Sequence, residues 1–168
     1  MRFIKYKPIG IIHSPFKVPK GTPIQATAAK GAVGTVELFP EYVKGLDDLE
    51  AFSHIILIYH FHLVKTSLLK VKPYMDKKPR GVFATRAPSR PNPIGISIVR
   101  LIGIDKNIIH IEDVDILDGT PLLDIKPYVP EFDMRRTNKI GWIKQNIQKL
   151  EITKDDGRFI SKKSSTNL

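Results

Sequence analysis

At 168 residues, with 42% hydrophobic and 26% charged side chains, the chain has the size and composition of one soluble globular domain. Its 27 Lys and Arg against 17 Asp and Glu leave a formal charge of +10, so a polyanion such as nucleic acid is the expected partner, with a membrane surface as the rival. The lack of cysteine excludes disulfides, thiolate zinc and cysteine nucleophiles, and without an 18-residue apolar run or a signal-peptide core a cytoplasmic location is expected.

Short segments rich in isoleucine and valine, punctuated by proline and glycine, predict strands at about 3–13, 33–39, 54–63, 81–85, 96–104, 108–116 and 121–126. Between the second and third, "GLDDLEAF" at 45–52 signals a short helix, too little to supply the crossovers of a parallel sheet. The expectation is a mainly β fold, a small antiparallel β-barrel of about seven strands, occupying residues 1–152 as a single domain. Toward the end, Ile140, Ile143, Ile147 and Leu150 recur at helical spacing behind Thr137 or Asn138, with Lys139, Lys144 and Lys149 on other faces. That pattern predicts an amphipathic C-terminal helix. From about residue 153 the apolar pattern fades, and residues 153–168 read as a mobile tail.

In "SHIILIYHFHLV", alternation sets Ile55, Leu57, Tyr59, Phe61 and Leu63 on one strand face and Ile56, Ile58, His60 and His62 on the other. Two histidines two residues apart can chelate a metal, but no third ligand of matching spacing is evident, and partly buried, hydrogen-bonded histidines are the simpler reading. Next comes "RAPSRPNPIGIS" at 86–97, where Pro91 and Pro93 stiffen Arg90 and Asn92 and Pro88 blocks a helix between Arg86 and Arg90. A rigid loop aiming two guanidinium groups separately suits recognition of a carboxylate or phosphate, against the alternative of a plain strand terminator with solvated arginines.

The third feature is acidic: Asp113, Asp115, Asp118 and Asp124 concentrate in "EDVDILDGTPLLDIKPY", inside a strongly basic chain. The alternation slips phase between Ile111 and Val114, which predicts a β-bulge near Glu112 and Asp113. "DG" at 118–119 marks a tight turn that Asp118 could simply cap, and Asp124 and Lys126 share a strand face as an expected ion pair. Neither G-x-G-x-x-G nor G-x-x-x-x-G-K-[ST] occurs, so a cofactor would need another kind of site.

"GVFATRAPSRPNPIGIS" at 81–97 and "DILDGTPLLDIKPY" at 115–128, together with "GLDDLEAFSHIIL" and "IGIIHSPF", resemble the signature blocks of TrmO/YaeB-type tRNA methyltransferases over about residues 8–130. The resemblance implies a β-barrel that binds S-adenosylmethionine without a Rossmann sheet. It also implies a homodimer that methylates the N6 nitrogen of N6-threonylcarbamoyladenosine next to the anticodon of tRNA. Carried over by position, it places cofactor contacts on Gln25, Ala26, Thr27, His62, Leu63, Arg86, Ile96, Glu112, Asp113, Val114 and Asp115. Asp118, and after it His62, are the candidates for the base that removes the proton, and Arg90 or Lys126 for the carboxylate of the modified base. The extra C-terminal domain of longer family members is expected to be missing. Two further readings stay open: a barrel that binds RNA without chemistry, and a metal-dependent hydrolase built on His60 and His62.

Overall fold

The computed structural model describes residues 3–160. Among these residues the chain forms eight strands in order: β1 (Gly10–His13), β2 (Val33–Leu38), β3 (His54–His60), β4 (Lys70–Val71), β5 (Arg80–Gly81), β6 (Ile94–Asp105), β7 (Ile108–Glu112) and β8 (Thr120–Pro127). Six close into an antiparallel barrel in the order β1–β2–β7–β6–β3–β8, and β8 pairs back onto β1. Closure leaves none of these six with a free edge. The remaining two, β4 and β5, form a separate ribbon. The wall therefore has six strands where about seven were expected.

Alternation explains the core. Ile55, Leu57 and Tyr59 of β3 point inward beside Ile12, Val36, Val99, Ile109 and Leu122, all buried. Each such aliphatic side chain contributes roughly 1.5–3 kcal/mol by leaving water. On β6 the inward residues are Gly95, Ser97 and Val99, while Ile94, Ile96 and Ile98 face outward. Gly95 opposes Tyr59, and a Cβ there would overlap the rings of Tyr59 and Phe61, which meet edge to face at 5.4 Å. Only glycine admits that ring pair into the barrel mouth.

Several elements differ from the sequence expectation, each for a local reason. The first strand begins at Gly10, since Pro8 has no N–H to donate to a ladder. The strand expected at 81–85 ends at Gly81 and gives way to a 3-10 turn over Val82–Ala84. The expected helix at 45–52 is two 3-10 turns, Pro40–Leu46 and Leu49–Ala51, parted by Asp48 in the left-handed region at φ 66°. The phase slip after Ile111 comes from the end of β7: Asp113 takes φ 66°, and Val114 and Ile116 then turn inward. Bulges lie elsewhere, between Ile58 and Tyr59 against β8 and between Leu101 and Gly103 against β7. The "DG" turn is present, with Gly119 at φ 75°.

The C-terminal helix is also replaced. A single α-helical turn, α1 (Pro130–Asp133), is followed by 3-10 turns at Gly141–Gln145 and Ile147–Lys149. Asn146 separates the two at φ −124° and ψ −1°, which is incompatible with a continuous helix. The tail expected from residue 153 begins with a packed segment. Asp155 exchanges backbone hydrogen bonds with Gly21 and Thr22 at 2.7 and 2.9 Å, and Phe159 is buried against Val71, Val82 and Ala87. One aromatic anchor suffices to hold it, and a lone anchor leaves no periodic signal. Residues 161–168 of that expected tail lie outside the described residues.

Candidate active site

The barrel mouth carries a polar chain in an otherwise aliphatic interior. Ser97 Oγ donates to Asp115 Oδ1 at 2.6 Å, so the 3.1 Å contact between Tyr59 and Ser97 has the phenol as donor. Asp115 is only half-buried by area, yet its carboxyl lies deep among protein atoms; that desolvation pushes it up to about 6, against the opposing effects of Ser97, Arg86 and the Ala26 amide. Burial raises Tyr59 as well, which keeps the phenol protonated as a donor.

Asp115 shares a cavity of about 110 Å³ with Tyr59, His62, Arg86 and Thr120. His62 stands just past the end of β3. Thr120 Oγ1 donates to the Leu117 carbonyl at 2.7 Å, so in its longer 3.4 Å contact with His62 Nδ1 the hydroxyl accepts. That assignment puts the imidazole proton on Nδ1 and leaves the Nε2 lone pair free. Burial first, and neighbouring His60 second, lower the histidine below its ordinary value, so it is neutral near pH 7.

Arg86 walls this cavity and a second one of about 560 Å³, and Nη1 donates to Gln25 Oε1 at 2.9 Å. Tyr74 and Phe159 are common to both cavities as well. Beside Phe159, Asp155 is raised by burial, and the Arg158 guanidinium lies 5.0 Å from the Tyr74 ring.

The sequence candidates separate. Gln25, Thr27, His62, Leu63, Arg86 and Asp115 gather around the two cavities, with the Ala26 amide facing Asp115. The others stand away. Ile96 is half-exposed on the outer wall, Glu112 pairs with Arg100 at 2.9 Å, Asp113 accepts the Gly31 amide at 2.8 Å, and Val114 is core. Asp118 lines neither cavity. It accepts the Ser14 amide at 3.1 Å and Lys17 Nζ at 2.8 Å, and the lysine holds it below the usual carboxylate range. Arg90 turns back onto the carbonyls of Thr85 and Ala87, and Lys126 pairs with Asp124 at 2.8 Å on the outer face of β8. His60 and His62 are joined by no third ligand among the described residues. Sequence reasoning does not single out Tyr59, Ser97 and Thr120 as site residues; the available signal is a serine in the inward phase of β6.

The tRNA-methyltransferase O N-terminal domain model matches residues 11–134. The chain is 67% identical over 158 residues to a probable S-adenosyl-L-methionine-binding protein of Pyrococcus abyssi, covering 94% of this chain and 86% of that one. It is 34% identical over 134 residues to the tRNA (adenine(37)-N6)-methyltransferase of Mus musculus, covering 76% and 31%. The crystal structure of TrmO from Pseudomonas aeruginosa is similar at 41% identity and a TM-score of 0.70, over 84% of this chain and 63% of that one. This chain thus spans under two thirds of that solved chain. From the signature blocks, the closed barrel and these matches together, the chain belongs to the tRNA-methyltransferase O N-terminal domain family.

Proposed function

We propose that this chain transfers a methyl group from S-adenosylmethionine to the N6 nitrogen of N6-threonylcarbamoyladenosine at position 37 of tRNA, beside the anticodon. The observation that carries the reading is the meeting of Arg86, a desolvated Asp115 and a neutral His62 with a free Nε2 on one cavity. The donor set fits the cofactor. Arg86 suits its carboxylate, Asp115 its sulfonium charge, and Gln25, the Ala26 amide, Thr27 and Leu63 its polar and apolar remainder. When bound, the cofactor supplies an electrophilic methyl group.

The chain's residues do the rest. Phe61, Tyr74 and Phe159 line the cavity and keep water from it. His62 Nε2 accepts the proton from the acceptor nitrogen, whose N–H is made more acidic by its carbamoyl substituent, so a neutral imidazole is a sufficient base. Asp118 serves the turn that delivers Thr120. A barrel that only binds RNA has no use for a buried carboxylate beside a neutral histidine.

The outer wall supports a homodimer. Ile56 and Ile58 of β3 pair with Ile98 and Ile96 of β6, and with Ile94 they make an apolar face on the solvent side of the barrel. Light scattering at micromolar protein should return twice the chain mass. Among the described residues no helix is long and apolar enough to cross a membrane. The proposed tRNA substrate assigns the enzyme to the cytoplasm.

The decisive experiment compares methyl incorporation into one tRNA with and without its threonylcarbamoyl group. A strong preference for the modified tRNA is expected, whereas equal rates refute the proposed acceptor. No incorporation into either, with no S-adenosylmethionine found by mass spectrometry, favours the binding barrel. Arg86→Ala should weaken cofactor binding in calorimetry with the melting temperature little changed.

A further inference from the structure

Of the residues around the 560 Å³ cavity, methyl transfer as read above uses Gln25, Thr27 and Arg86 and leaves the aromatic and aliphatic remainder without a role. That remainder includes Met75, Phe83, Trp142, Ile143, Ile147 and Leu150. The indole is fixed: Nε1 donates to the Ala84 carbonyl at 2.8 Å, and the Arg80 guanidinium lies 5.9 Å from the ring. Phe83 is 75% exposed, a large aromatic surface left in water next to a cavity. Charge is the second observation. Residues 134–149, which carry Trp142, hold Arg135, Arg136, Lys139, Lys144 and Lys149 and no acidic side chain, and all five basic side chains are exposed.

Aromatic faces on a segment that also carries exposed cations suit an unpaired nucleotide: the rings stack with bases and the cations track phosphates. A sulfonium cofactor is itself cationic. Its sulfonium is drawn to the Asp115 side, and with its one carboxylate taken by Arg86 it offers no further anion to the cations of residues 134–149. We infer that the Phe83–Trp142 cavity is a stacking subsite for an unpaired RNA base, that of a nucleotide flanking the one methylated. The inference rests on the methyl-transfer reading above, because Arg86 is the wall shared with the reacting cavity. It also gives the 141–150 segment, outside the matched family domain, a role in substrate binding.

Trp142 is the chain's single tryptophan, so its fluorescence reports on this cavity alone. The full chain is titrated with a synthetic anticodon stem-loop bearing the threonylcarbamoyl group, with a blunt RNA duplex, and with S-adenosylmethionine. Saturable quenching by the stem-loop, and not by the duplex or the cofactor, is expected. Phe83→Ala and Trp142→Ala should raise the KM for tRNA by about 5- to 150-fold, with kcat and cofactor affinity within about twofold, while Trp142→Phe restores most of the loss. Quenching by S-adenosylmethionine alone would give the cavity to the cofactor and overturn the inference. An unquenched indole in protein that still methylates tRNA overturns it and leaves the enzyme reading intact. Quenching by the stem-loop without any methyl transfer supports the stacking site and overturns the enzyme reading instead.

Discussion

The barrel and the cap over its mouth are built on opposite terms. In the barrel, the inward positions of the six strands are fixed by a closed ladder, and the side chains are mostly aliphatic. The cap joins the β4–β5 ribbon, the arginine loop and residues 151–160 through a small cluster of Val71, Val82, Ala87 and Phe159. All the cavity chemistry lies where the two meet. Stability is concentrated in the ladder, and the ligand-facing surface is assembled from pieces that hold few contacts each.

The sharpest break of that comparison is at the junction itself. His62→Ala and Asp115→Asn should each cut methyl transfer by about 10²- to 10⁴-fold in single-turnover assays. Their effects on stability should diverge. A carboxyl raised to about 6 means that the folded state holds the proton more tightly than the unfolded chain. Its contribution to stability is therefore present at low pH, falls as pH rises from about 4 to about 6, and stays lost above that. The loss is up to about 3 kcal/mol, less whatever water in the cavity screens. Asp115→Asn should accordingly raise the urea midpoint at about pH 8, leave it near wild type at about pH 4, and flatten the curve between.

Truncating the core tests the ladder. Leu57→Ala should cost about 2–5 kcal/mol of global stability by urea denaturation. Phe159→Ala should cost about 1 kcal/mol globally while abolishing hydrogen-exchange protection at the amides of Asp155 and Ile160. Equal losses from the two would mean that cap and barrel unfold as one unit. At the barrel mouth, Gly95→Ala should destabilise by about 1–3 kcal/mol, because the new methyl displaces Tyr59 and Phe61. The smallest effect is expected at Asp118→Asn, which keeps an acceptor for the Ser14 amide and loses the Lys17 ion pair. Stability should change by about 1 kcal/mol or less, with turnover unaffected, and a collapse of turnover would return Asp118 to the chemistry.

Much of this was legible beforehand because it is periodic or covalent in origin. Alternation at two-residue spacing gave the inward faces of β3 and β7, and the helix-poor pattern between them left a closed antiparallel sheet as the economical architecture. Prolines around Arg86 and Arg90 announced a stiff loop, and the two guanidinium groups do have different partners. Long signature blocks place Arg86 and Asp115 among the candidates, and the wider resemblance over about residues 8–130 adds His62.

What depended on the tertiary structure is everything set by registers between distant segments. Asp115 and Asp118 are equivalent as letters three positions apart, but only one becomes desolvated, because Asp113 turns the chain inward and Lys17 and Ser14 then claim the other. Arg90 reads as an anion ligand until the loop folds its head onto carbonyls of its own turn. The last described residues look like a tail because a single phenylalanine has no period, and its burial depends on a pocket built from residues 71, 82 and 87. Local sequence determines which face of a strand is buried. Which polar side chains lose their water is decided by contacts across tens of residues, and those carry no local signature.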